Sequence, residues 1–153
     1  MKFNSIALKA IYLHEMDRFR RTLAQSLLSP VLSTSLYFIV FGSVIGGYVQ
    51  KIDGISYGSY IVPGLLMLTL LTQSISNTSF GIFFPKFNGT IYEILAAPIS
   101  TLEIVLAFVG AGATKTLIVG AMIFLTATFF VEVDVKYPVL MIFLLVLVSF
   151  TFA

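Results

Sequence analysis

Residues 22–50 read TLAQSLLSPVLSTSLYFIVFGSVIGGYVQ, 29 positions without one charged side chain. About 20 apolar residues carry an α-helix across a bilayer, so this stretch holds a spanning helix over roughly residues 27–49. Residues 54–85 form a second uncharged stretch, 32 positions long, which places a second span over roughly 60–84. Pro63 falls in its first turn, where a missing N–H does little harm, and Pro85 is expected to end it. A third span follows over roughly 104–131, and a fourth opens at Pro138 and runs over 138–153. In hydrocarbon the backbone must satisfy its own hydrogen bonds, which makes runs of this length helices. The expected fold class is therefore all-α, a polytopic membrane protein with an N-terminal helix and about four spans.

Composition agrees. Of 153 residues, 58% are apolar and 10% charged, and the mean hydropathy is +1.02. Soluble domains carry about 25% charged residues, so too little polar surface exists here to cover a water-soluble globule. Disorder needs the opposite composition. The chain has no cysteine, which excludes a disulfide framework and any Cys-ligated metal or iron–sulfur centre.

Residues 1–21 hold Lys2, Lys9, Arg18, Arg20 and Arg21 against Glu15 and Asp17, a balance of +3, while the remaining residues sum to −1. Positive charge ahead of the first span places the N-terminus in the cytoplasm. Five cations with two anions among them make a weak nucleic-acid footprint, so no nucleic-acid partner is expected. Charge persisting to residue 21, ahead of a run far longer than a signal peptide's, argues for a retained N-terminus. Phe3, Ile6, Ala10 and Leu13 recur at helical spacing, which predicts an interfacial helix in this cytoplasmic segment. Gly42 and Gly46 form a G-x-x-x-G pair, read either as a close-approach site or as chance glycines in a membrane helix. Lys51 and Asp53 mark an outer loop, flanked by Tyr48, Tyr57 and Tyr60 at headgroup level; Glu132, Asp134 and Lys136 mark another.

Between the second and third spans Phe87, Ile91, Ile94 and Leu95 repeat at three- and four-residue steps between Pro85 and Pro98. This predicts a short amphipathic helix over about 86–97 on the cytoplasmic side, either a membrane-surface anchor or a segment that docks into a soluble partner. Thr69, Thr72, Gln73, Ser74, Ser76, Asn77, Thr78 and Ser79 make the second span unusually polar. They either bond to neighbouring helices or face a substrate path, with Gln73 and Asn77 the pair most suited to line one. Lys115 lies inside the third span with no acidic partner expected at membrane depth. It either marks the inner boundary, snorkelling toward the headgroups, or binds an anionic headgroup.

Several motifs fail. Gly110-Ala-Gly112-Ala-Thr-Lys115-Thr116 resembles a phosphate-binding loop, but Thr114 stands where a glycine belongs and the segment lies in a span. His14 has no second histidine to share a metal, and no nucleophile–base–orienter set is visible. The chain is expected to be no enzyme and to bind no metal or cofactor itself. No internal repeat is visible, and with no acidic partner expected for Lys115 a secondary transporter is disfavoured.

Ile61-Val-Pro-Gly-Leu-Leu-Met67 and Tyr92-Glu-Ile-Leu-Ala-Ala-Pro-Ile-Ser100 are less generic. Both resemble signatures of the type-2 ATP-binding-cassette (ABC) exporter permeases, a V-P-G-L segment opening the second helix and an E-x-L-x-A-P-[VI]-S run between the second and third. Lys86-Phe87 and Leu36-Tyr-Phe-Ile-Val-Phe-Gly42 add to the likeness. The resemblance implies a bacterial inner-membrane permease of six helices, working as a homodimer with two copies of a separate ATPase subunit that binds ATP. It implies that the 86–97 helix is the coupling element, with Phe87, Ile91, Ile94 and Leu95 in the ATPase groove and Glu93 orienting it. Only three helices and part of a fourth are matched, and the last span ends on Ala153 without a polar tail, so the chain reads as shortened at its C-terminal end. The alternative function is a non-transporting accessory or truncated integral membrane protein.

Overall fold

The structure is a computed structural model and describes residues 4–41, 51, 52, 54–131 and 137–153. Helix α5, Thr101–Phe130, is the axis of the molecule, contacting α1 (Ser5–Arg21), α2 (Leu23–Ile39), α3 (Tyr57–Phe87) and α6 (Pro138–Phe152). Its start is a reciprocal capping box: the Glu103 N–H donates to Ser100 Oγ at 3.3 Å and the Ser100 N–H donates to Glu103 Oε2 at 2.8 Å. Its interior is almost entirely apolar or small, so packing rather than amphipathicity decides which side is buried.

Helices α3 and α5 are each long and apolar enough to cross a membrane, at 31 and 30 residues. Two shorter apolar helices, α2 and α6, accompany them. The fold is that of a helical membrane protein. A two-residue antiparallel pairing, β1 (Lys51–Ile52) with β2 (Ile55–Ser56), precedes α3. Ser56 caps α3 by accepting the Ser59 N–H at 3.3 Å, so the helix begins at Tyr57 and Pro63 lies in its second turn. Pro85 does not end it: its ring forfeits the bond to the Gly81 carbonyl and crowds it, yet Lys86 and Phe87 complete the last turn. The stop comes at Asn88 and Gly89, whose φ of 78° is the left-handed conformation that closes helices and suits glycine.

Four contacts fix the chain direction around α5. Asn4 meets Glu103, Tyr12 meets Thr114, Glu15 meets Lys115 and Phe38 stacks on Phe130 at 6.2 Å. Numbers rise together on both sides, so α1 and then α2 run alongside α5 in its own direction, with Thr22 as the joint. Within the molecule α1 buries Glu15 and Phe19, while Ile6 is 81% exposed and Leu13 48%. The face of α1 that turns inward carries a charge, and Ile6, Ala10 and Leu13 are left outside, where an interfacial helix would carry them. Phe3, Gly42, Gly46, Tyr48, Asp53 and the acidic loop Glu132, Asp134 and Lys136 lie outside the described residues.

Helices α3 and α5 pack antiparallel. The buried line Val62, Leu66, Leu70, Ser74 and Thr78 of α3 advances by four residues and meets small residues of α5. A Cβ at Gly112 would lie 2.0 Å from Thr78 Oγ1, and one at Gly120 would lie 2.7 Å from Leu70 Cδ2. Lipid tails are as apolar as leucine, so close backbone approach and dispersion hold such helices together. Ser74 Oγ adds a bond to the Ser149 carbonyl at 2.9 Å, tying α3 to α6.

Gly112→Ala is expected to lower thermal stability in detergent. Overpacking costs about 1–3 kcal/mol, and the Thr78 Cβ and Cα stand within 3.3 and 3.6 Å, so rotating the hydroxyl away does not clear the site. Gly120→Ala meets only the flexible end of Leu70 and gains helix propensity of about 1 kcal/mol, so its midpoint should stay near that of the native chain. Equal losses at the two positions would contradict this packing.

Candidate functional site

Two places on the fold concentrate chemistry: the segment joining α3 to α5, and a charged cluster halfway along α5. The joining segment contains α4, Ile91–Ala96. The helix expected over 86–97 is thus divided. Lys86 and Phe87 are the last turn of α3, the Gly89 turn intervenes, and α4 follows with the Tyr92 and Glu93 N–H groups donating back to Gly89 and Thr90 carbonyls at 3.2 Å. Glu93 lies in the first turn of α4, where its charge suits the helix dipole.

No residue of α4 is fully buried. Ile91 and Ile94 are half-buried, while Phe87, Tyr92 and Leu95 are 77%, 73% and 60% exposed. Phe87 stacks on Phe83 at 6.2 Å and Phe80 on Phe84 at 5.6 Å, so an aromatic ladder on α3 leads down to this surface. After α4, Ala97 and Ser100 adopt extended backbone and the chain turns into α5. The elbow is held by the Ser100–Glu103 box.

The polar residues of α3 divide into groups that sequence spacing did not separate. Ser74 and Thr78 are buried packing residues, and the Thr69 and Thr72 hydroxyls donate to carbonyls of their own helix, at 2.8 and 3.0 Å. Gln73 and Asn77 are half-buried and meet each other at 3.5 Å, one turn apart on a side of α3 adjoining the buried line. Among the described residues they are not brought to Glu93 or to the α4 surface.

The charged cluster corrects the expectation for Lys115. Its Nζ lies 2.7 Å from Glu15 Oε2, both side chains only 4% exposed, and Arg18 Nη2 reaches the same oxygen at 2.8 Å. An acidic partner therefore exists, one hundred residues away in sequence. Lys115 stands about 22 Å short of the Phe130 end of α5 at 1.5 Å per residue. Gly81 of α3 faces the cluster: a Cβ there would lie 3.6 Å from Glu15 Oε2 and 3.7 Å from Arg18 Nη2. The Arg18 guanidinium also sits 5.9 Å over the Phe80 ring. Tyr12 donates its hydroxyl to Thr114 Oγ1 at 3.0 Å beside the ion pair. Glu15 pairs with both cations, so the cluster of Lys115, Arg18 and Glu15 carries a formal charge of +1. Among the described residues no three metal-ligating side chains gather.

A helical membrane protein whose two longest helices are joined by a short exposed helix is the class that this geometry defines. The chain belongs to the ABC-2 type transporter family, which it matches over residues 6–153. It is 38% identical over 148 residues to the inner membrane transport permease YadH of Escherichia coli K12, and equally to those of Escherichia coli O157:H7 and Shigella flexneri. The alignment covers 97% of this chain and 58% of each relative, so the chain spans little more than half their length. No solved structure matches it.

The cluster predicts an unequal pair of mutants. Glu15→Leu strands a buried ammonium, and losing one partner of a buried pair costs about 3–5 kcal/mol. Lys115→Met leaves Glu15 paired with Arg18 and should cost less, and adding it to Glu15→Leu should restore much of the loss. Thermal unfolding of the three variants in detergent checks the order; an additive double mutant would show that the pair is not coupled.

Proposed function

We propose that this chain is the membrane subunit of an ATP-driven ABC exporter, forming part of the substrate passage and docking a separate ATPase subunit. The observation that carries the reading is the exposed apolar surface of Phe87, Tyr92 and Leu95 on the elbow between the two longest helices. Family membership and the names of the relatives, inner membrane transport permeases, support it. An apolar stripe on a short helix fits a groove in a partner, and a rigid elbow converts a displacement of that helix into a displacement of both spans it joins. Glu93 orients the docked helix by pairing with a cation of the partner. ATP is bound and hydrolysed on the partner, not on this chain.

Four crossings are proposed, at the sequence spans of about 27–49, 60–84, 104–131 and 138–153, in the bacterial inner membrane with the N-terminus cytoplasmic. Lys9, Arg18, Arg20 and Arg21 on α1 support that orientation. Gln73 and Asn77 face the passage, whose other wall comes from a second permease copy. In hydrocarbon their amide groups require further partners, and a polar substrate supplies them.

Two experiments test this reading. Leu95→Glu, at an exposed position, should release an ABC ATPase that the native permease retains through detergent purification; retention at the native level would count heavily against docking at α4. The chain has no cysteine, so Asn88→Cys provides a single reporter of sidedness. An impermeant maleimide should label it in inverted vesicles and not in intact cells, and labelling of intact cells would invert the topology.

A further inference from the structure

Glu103 was not singled out by spacing, yet it is 2% exposed and both of its carboxylate oxygens are used. Oε2 accepts the Ser100 N–H at 2.8 Å, completing the box that starts α5. Oε1 accepts the backbone N–H of Asn4. Asn4 is itself the cap of α1, its Oδ1 accepting the Ala7 N–H at 3.2 Å. One carboxylate thus closes the starts of two helices, lying near the positive end of each. It plays for α1, from another helix, the part that the third residue of a capping box ordinarily plays from within.

We propose that Glu103 is a positioning residue that ties α1 to the α4–α5 elbow, so that α1 travels with α4 when the coupling segment is displaced. This rests on the docking function proposed above for α4. Three contacts spaced along the two helices make the tie rigid: Glu103 with Asn4 at the start, Tyr12 with Thr114, and Glu15 with Lys115. From Asn4 to Glu15 is about 16 Å of helix and from Glu103 to Lys115 about 18 Å, so the two rods stay in register over the whole tie. A displacement entering at Ser100 reaches Asn4 through a single side chain, without passing through α3.

Glu103→Gln separates the two roles. Glutamine still serves the box on Ser100, but its amide nitrogen cannot accept a second N–H, so the bond to Asn4 is lost while α5 still starts. Spin labels at Lys9→Cys and Ala96→Cys, both exposed positions, read the separation of α1 from α4 in the purified permease without any ATPase. A narrow distribution is expected in the native chain and a longer, broader one in the Glu103→Gln variant. Equal widths would overturn the tie and leave ATPase docking untouched. A second reading distinguishes positioning from mere stability. With an ABC ATPase bound and a non-hydrolysable nucleotide added, labels at Lys9 and at Ala96 should each shift relative to one at Ile75. In the Glu103→Gln variant the Lys9 label should follow less far than in the native chain, because Tyr12 and Glu15 still hold α1 to α5, and a Lys9 label that follows in full would overturn the proposal. If no label shifts in the native chain, docking has failed and the tie is judged on the first measurement alone.

Discussion

A lysine buried in the middle of an apolar helix needs a partner for its charge, and the bundle is arranged around the partner it finds. Lys115 is paired with Glu15, whose same oxygen also holds Arg18. Taking these charges out of water costs several kcal/mol per ion before pairing offsets it, so the geometry has little freedom. It requires α1 to lie against the first half of α5, requires the Glu15 face of α1 to turn inward, and sets the cluster against Gly81 of α3. Once α1 is placed, Thr22 joins it to α2, and Phe38 arrives beside Phe130, Val62 and Ala127.

The remaining cohesion is steric. Helix α5 presents Ala107, Ala111, Gly112, Ala113, Thr116, Gly120 and Ala127 to its neighbours, and α3 answers with one residue per turn. Small residues bring backbones close, and dispersion summed over that contact replaces the hydrophobic effect, which is absent between helices in lipid. Few polar side chains are spared for bonding between helices, Ser74 to the Ser149 carbonyl among them. Most threonine hydroxyls bond within their own helix, so the polarity of α3 is largely internal to it.

On the proposed function the same axis has a second use. Helix α4 adjoins α5 through an elbow stiffened by the Ser100–Glu103 box, and the residues that leave apolar surface uncovered, Phe87, Tyr92 and Leu95, surround that elbow. An element that is anchored at one end and unburied along its length suits transmission of movement better than storage of stability. The half-buried Gln73–Asn77 pair stands on α3, the other helix that meets this joint.

Charge-free length was sufficient to read an all-α membrane chain, because only a helix of that length satisfies its backbone in hydrocarbon. The cap at Ser100 went unread, although its S-x-x-E spacing to Glu103 is a start signal in its own right. Reading Pro85 as a stop placed the end two residues early, since the helix continues to Phe87. What no local reading reached is which faces meet. On α1 the apolar spacing gave no sign that Glu15 is the residue buried against α5. A close-approach glycine pair was sought at Gly42 and Gly46, which lie outside the described residues, while the observed close approach is at Gly112 and Gly120. Lys115 seemed unpartnered because its partner is one hundred positions away. Composition and period act over a few turns and determine that helices form; pairing of charges and fitting of small residues act across the bundle, so only the assembled tertiary structure decides how those helices are joined.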